Sequence, residues 1–179
     1  MLLLSIPTMA AAAPGAPAAK PSPPPESGRE LLGADGLTLT DQQNKFSVRL
    51  PAADWKVYRA NEAPFFLNIA NPAGELRMEI LIKPYPMPLE SIRTMMDAEA
   101  KKQGTTVQRS TIAERNGAKC WDLEGEEKAP PIGVEHFLGR ICDIDSGHKV
   151  SAGVRLPVAQ WPAEEKVLRE LVESLRVVH

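Results

Sequence analysis

The chain has 179 residues, a formal net charge of −2 and a sequence pI near 6.0, with 43% hydrophobic and 25% charged residues. That length fits one ordinary domain plus an extension, and that charge carries no electrostatic footprint for nucleic acid or an anionic membrane. Of the 17 prolines, many fall before residue 26, which assigns the excess to a tail.

Residues 1–13 read MLLLSIPTMAAAA. An apolar run that ends in small residues has the pattern of the hydrophobic region and cleavage site of a secretory signal, and is too short to span a bilayer. No basic residue precedes Lys20, so the signal is truncated or atypical. Residues 14–34 are rich in Ala, Pro and Ser without periodicity, and cannot bury enough apolar surface to offset their ordering entropy. They are expected to be a disordered tether, and residues 35–179 a single domain.

The domain opens with alternating residues. Leu37 and Leu39, then Phe46, Val48 and Leu50, recur with period two, as do Trp55 and Val57. Half-buried strands have that period. Asn71-Pro72-Ala73-Gly74 is a turn between the strands Phe65–Ala70 and Leu76–Lys83. The period then changes. Leu89, Ile92, Met95, Met96 and Ala100 recur at three and four, which predicts an amphipathic helix from Pro88 to Gln103 with Gly104 as its C-cap. Both methionines are expected in the core.

Asn116-Gly117 is a two-residue hairpin signal, and pairing centred there sets Ile112 opposite Trp121 and Ala113 opposite Cys120. The turn at Ala129-Pro130-Pro131-Ile132-Gly133, centred on Pro131, sets Cys120 opposite Cys142, Trp121 opposite Ile141, Asp122 opposite Arg140 and Glu126 opposite His136. A tight turn at Ser146-Gly147 then sets Ile141 opposite Ala152, so that Ile112, Trp121, Ile141 and Ala152 form one apolar row. A last helix begins near Pro162, with Val167, Leu168, Leu171, Val172 and Leu175 as its apolar stripe. The fold class is therefore α+β: a mostly antiparallel sheet of about seven to eight strands covered by two helices.

Opposed residues on antiparallel strands stand about 4.5–5.5 Å apart at Cα, within the span of a disulfide. Cys120 and Cys142 are thus expected to be bonded, which fits export to an oxidising compartment. In the cytosol, two reduced and partly buried thiols are the alternative. A redox centre lacks its Cys-x-x-Cys, and a zinc site lacks two further ligands, with His136 the one histidine nearby.

No nucleophile elbow, zinc-protease helix or phosphate-cradling glycine loop occurs in the sequence. The acidic residues Asp122, Glu124, Glu126 and Glu127, with Asp143 and Asp145, could serve acid–base work or bind calcium. The cross-strand pairs Asp122–Arg140 and Glu126–His136 explain them as a charged sheet face or rim. The expectation is a non-enzyme without catalytic residues, metal site or cofactor.

The stretch FSVRLPAADWKVY, from Phe46 to Tyr58, carries a Phe-x-Val-x-x-Pro strand followed by a tryptophan that opens the next one. It resembles the start of the PsbP-like/Mog-like family, and ESLRVV, from Glu173 to Val178, resembles the family's end after its last helix. The resemblance covers about Leu37 to Val178 and rests on Phe46, Pro51 and Trp55, which are packing and turn residues. It implies an α/β/α sandwich and a mostly non-enzymatic accessory protein. Members include an extrinsic subunit of the oxygen-evolving complex, a nuclear-import factor that binds a small GTPase, secreted bacterial lipoproteins and chaperones for toxin effectors. No cysteine precedes Cys120, so the lipoprotein anchor does not carry over. Neither does a metal role, since no matching histidine pair is found.

The function expected is an exported accessory module, periplasmic or secreted and without a stable membrane anchor, that docks a protein partner or a small apolar ligand. Its contact surface would be the sheet or the loop from Pro84 to Pro88, where Tyr85 and Met87 are held among prolines. The alternatives are a cytosolic chaperone that cradles apolar segments of an effector and, last, a hydrolase using the acids of 124–127.

Overall fold

A computed structural model describes residues 27–60 and 65–178. The expected signal (1–13) and the tether up to residue 26 lie outside the described residues. The remainder of that tether, 27–34, is not a free spacer. Arg29–Leu31 form a 3-10 turn, Leu31 and Leu32 pack on the core, and Gly28 N–H donates to Val57 O. The folded unit therefore begins before Ala34, because two leucines there have apolar neighbours to bury against.

Among the described residues ten strands follow: β1 Thr38–Asp41, β2 Phe46–Arg49, β3 Lys56–Arg59, β4 Phe65–Ala70, β5 Arg77–Pro84, β6 Thr106–Arg115, β7 Ala118–Ala129, β8 Gly133–Asp143, β9 His148–Pro157 and β10 Arg176–Val177. Helix α1 spans Leu89–Gln103 and α2 spans Trp161–Glu173. Seven strands make the main sheet in the order β3-β4-β5-β9-β8-β7-β6, every pairing antiparallel. The other three form a small sheet, β1-β2-β10, in which the chain's last turn pairs with β2.

Local chemistry explains the element ends. Gly104, at φ +70°, takes the left-handed position that closes α1. Asn116 and Gly117, at φ +52° and +81°, make the two-residue turn joining β6 to β7. Of the two methionines expected in the core, Met96 is half-buried against the Trp121 cluster and Met95 is 45% exposed.

The main sheet buries its two faces against different layers. One face carries Val57, Leu67, Ile69, Met78, Ile80, Cys120, Leu138, Cys142, Val150 and Val154, packed against the small sheet and α2 (Trp161, Leu168, Leu171, Val172). On the other face Trp121 is buried with Leu89 and Ile92 of α1, ringed by Ile112, Leu123 and Ile141. The predicted register holds from β6 to β8, including Ile112↔Trp121 and Cys120↔Cys142. It slips by one at β9. Ile141 faces Ser151, and Ala152 faces Arg140 on the opposite side of the sheet. The predicted apolar row ends one strand early, because the β8–β9 connection is centred on Ser146, with Ile144 N–H donating to His148 O, rather than between Ser146 and Gly147. Asp145 shapes that loop by accepting hydrogen bonds from the amides of Gly147 and His148, at 2.7 and 2.8 Å.

Candidate functional site

Two surfaces and one charge cluster follow from this arrangement. The first surface is the Pro84–Pro88 loop, which carries the chain from β5 over the β8–β9 loop into α1. Tyr85 N–H donates to Gly147 O at 2.7 Å and fixes the crossing. Pro84, Pro86 and Pro88 are exposed, whereas Tyr85 and Met87 are half-buried against the Trp121 cluster. Met87, Pro86 and Pro88 line an open depression of about 260 Å³ with Asp143, Asp145, Ser146 and Lys149. Tyr85 is not in that lining. The depression's charges already have partners, since Lys149 Nζ lies 2.5 Å from Asp143 Oδ1 and Asp145 is 3.1 Å from His148 Nδ1. The amide of Gly147, with the His148 side chain, holds the Asp145 carboxyl below its ordinary value.

The acidic run of β7 is not a solvated rim. Asp122, Glu124, His136 and Arg140 are buried beneath α2, at 3%, 8%, 4% and 5% exposure. Arg140 donates from Nε and Nη2 to the two oxygens of Asp122 at 2.6 and 3.1 Å, and from Nη1 to the carbonyl of Glu173. Arg115 adds a third hydrogen bond to Asp122 at 3.2 Å. Arg169 of α2 donates to both oxygens of Glu124, at 3.0 and 2.7 Å, and to Glu165 at 2.8 Å. His136 Nε2 lies 3.1 Å from Glu124, and the ring stacks on Trp161 with centroids 3.8 Å apart. Arg109 joins through Glu173 at 3.1 Å and Glu124 at 3.7 Å, its Nε buried without a hydrogen bond.

This cluster welds α2 to the sheet. Burial pushes the Asp122 carboxyl up, but its bonds and charge from Arg140, with Arg115 and Arg109, outweigh that and hold it below its ordinary value. The hydrogen bonds of Arg169 do the same for Glu124, and in return raise Arg169 above the usual arginine range. A carboxylate held ionised by a two-point arginine grip is poorly placed to donate or accept a catalytic proton near neutral pH. The sequence register located Asp122–Arg140, but Arg109, Arg169 and the His136–Trp161 stack were missed. Only the docking of α2 brings them in.

The second surface is the main sheet itself. Helix α1 lies over β6 and β7 and reaches Ile141 of β8, and among the described residues no helix packs on the same face of β9, β5, β4 and β3. Register places Tyr58, Asn68, Glu79, Leu81, Ser151, Gly153, Phe137 and Gly139 there. Tyr58, Leu81 and Phe137 are half-buried and belong to neither packed cluster. Among the described residues, no group of three or more His, Cys, Asp or Glu side chains is set to hold a metal, and no helix is long and apolar enough to cross a membrane.

This layout, a seven-stranded antiparallel sheet between one helix on one face and a helix plus three short strands on the other, has known counterparts. The chain superimposes on the cyanobacterial PsbP (CyanoP) of Synechocystis sp. PCC 6803 with a TM-score of 0.59 at 11% identity, covering 78% of this chain and 91% of that one. The fold is PsbP-like. A second structure of the kind is LpqN of Mycobacterium tuberculosis, a protein involved in cell envelope biogenesis, with a TM-score of 0.56 at 12% identity over 75% of this chain and 83% of LpqN. No family model and no curated protein matches the sequence. The PsbP-like fold agrees with the resemblance read at Phe46, Pro51 and Trp55. All three serve packing or turns, with Phe46 and Trp55 buried in the large cluster.

Proposed function

We propose that the protein is a non-enzymatic accessory module that docks a protein partner outside the cytoplasm. The observation that carries this reading is the half-bare main sheet. One face packs on the small sheet and α2, whereas the other, from β8 to β3, presents Tyr58, Leu81 and Phe137 without a covering helix among the described residues. A surface of that kind, open and rimmed by polar residues, suits a protein contact better than an enclosed small-molecule site. The loop at Tyr85 and Met87 borders the same face and would extend the contact.

Export is supported by the disulfide, in which Cys120 and Cys142 are joined at 2.03 Å and both buried. Such bonds persist in oxidising compartments. The PsbP-like fold of LpqN, a protein of cell envelope biogenesis, agrees with that address. The grip of Arg169 on Glu124 argues against the hydrolase reading of the acids at 124–127.

Intact mass and non-reducing peptide mapping on protein recovered from its own cell fractions test the reading. A chain starting between Ala11 and Pro14, found outside the cytoplasm with Cys120 bonded to Cys142, is the expected result. A full-length cytosolic chain with both thiols free would overturn it in favour of a cytosolic chaperone.

A further inference from the structure

The bare sheet face carries two facing glycines at its centre. Gly139 of β8 and Gly153 of β9 stand directly opposite one another, and Gly153 in turn faces Glu79 of β5. Glycine inside a strand weakens it, so each one needs a reason. Gly139 has an internal one: a Cβ there would come within 3.1 Å of Leu123 Cδ2. Gly153 has none. A Cβ there would meet nothing nearer than Leu138 O at 3.8 Å, and its backbone is not among the positive-φ positions that favour glycine. A strand glycine without an internal reason marks a place where something from outside approaches closely.

The surroundings indicate what approaches. Lys56, Arg77 and Lys83 stand on this face of β3 and β5 with no carboxylate within ion-pair distance among the described residues. Glu79 is the one carboxylate on the same face of β3, β4 and β5, and Glu135 stands at the far end of β8. Lys149 and Arg155 are neutralised internally by Asp143 and Glu127. Three cations on β3 and β5 thus stand to one side of Gly153, with Glu79 directly opposite that glycine, on a chain whose net charge is −2.

We infer that the open place over Gly153 receives an apolar side chain of a protein partner flanked by carboxylates, which pair with Lys83 and Arg77. The inference rests on the docking function proposed above and names its chemistry. Burial lowers the Lys83 ammonium and raises the Glu79 carboxyl, so an external carboxylate at the first and a hydrogen-bond donor at the second would each relieve a desolvated group.

The test uses the purified full chain and an acetylated, amidated pentapeptide of four glutamates around one tryptophan, followed by amide NMR. Saturable shifts at Gly139, Gly153 and Leu81 are expected, weakened about tenfold or more by Gly153→Leu and by Lys83→Glu, and reduced by salt. The matching lysine peptide should give none. Gly153→Leu enters open space, and a spectrum otherwise unchanged establishes that it folds. Shifts centred on Met87 and Asp145, equal binding of the lysine peptide, insensitivity to Gly153→Leu, or no saturable shift would each overturn the inference. Because the assay uses purified protein, its failure is separable from a failure of the export reading, which cell fractions decide.

Discussion

Arg169, on the inner side of α2, grips both oxygens of Glu124 on β7 across 45 residues of sequence, at 3.0 and 2.7 Å. The glutamate side chain is 11% exposed and the arginine 27%. Removing Arg169 leaves the enclosed Glu124 carboxylate with only His136 at 3.1 Å and Arg109 at 3.7 Å to compensate it. Arg169→Leu is expected to destabilise by about 2–3 kcal/mol, near the lower end for a buried pair because the arginine retains solvent contact. Replacing both as Glu124→Leu with Arg169→Leu should recover much of that loss, and urea unfolding of the single and double variants measures it.

Acid should loosen the same seam. Glu124 and Asp122 have folded-state values below their ordinary 4.5 and 3.8, and the exposed Asp35, which caps a turn through the amides of Thr38 and Leu37, is held down to about 2. Groups lowered on folding contribute stability that is complete above their unfolded values and lost as pH falls through the folded ones. The melting temperature is expected to hold between about pH 7 and 5 and then decline steadily toward pH 2. In Arg169→Leu the decline should be shallower, since Glu124 then loses its largest reason to stay ionised.

Glu79 should behave in the opposite sense. Burial raises its carboxyl in the folded state, so ionisation opposes folding above the unfolded value and protonation relieves it as pH falls. Glu79→Gln is expected to raise the melting temperature at pH 7 and to leave it unchanged near pH 4. Paired thermal scans at the two pH values decide this.

The disulfide closes a loop with a sequence separation of 22. By the chain-entropy relation it contributes roughly 3 kcal/mol. Cys120→Ala with Cys142→Ala, which keeps the buried positions apolar, should lower the unfolding free energy by about that amount in denaturant titration.

Two glycines of the main sheet predict a contrast. A Cβ on Gly125 would lie 2.2 Å from Thr106 O and 2.8 Å from Phe137 Cζ, and one on Gly153 would touch nothing closer than 3.8 Å. Gly125→Ala is expected to cost about 2–3 kcal/mol or more as the bulge at Val107 and Arg109 is forced open, and Gly153→Ala close to nothing. Chemical denaturation of the two variants side by side reads the difference.

Most of the fold was legible because its signals are local. Asn116-Gly117 fixes a turn of known length, and every pairing outward from it, through Trp121 and Cys120 to β8, follows by counting. The count failed at β9, where a side chain decides the loop: Asp145 organises a turn centred on Ser146, a single-residue difference that moves Ala152 to the other face. That slip also concealed the opposition of Gly139 and Gly153. The charge cluster was half legible. Asp122–Arg140 is a matter of register, but Arg169, Trp161 and the burial of all of them depend on where α2 lands, which no spacing within β7 or β8 encodes. Met87 was found at a surface depression, whereas Tyr85 was turned inward by an amide contact to a loop distant in sequence.

The segment at Ser27 and Gly28 has a practical corollary for anyone preparing the protein. Gly28 N–H bonds to Val57 O, and Ser27 Oγ accepts from Arg59 N–H at 2.9 Å, so these two residues cap the outer margin of β3. A recombinant version trimmed to residue 35, where composition alone would cut, would strip that cap and leave raw backbone donors and acceptors for neighbouring molecules to zip onto. Material starting at Ser27 or earlier should stay monodisperse where the shorter one forms β-rich aggregates.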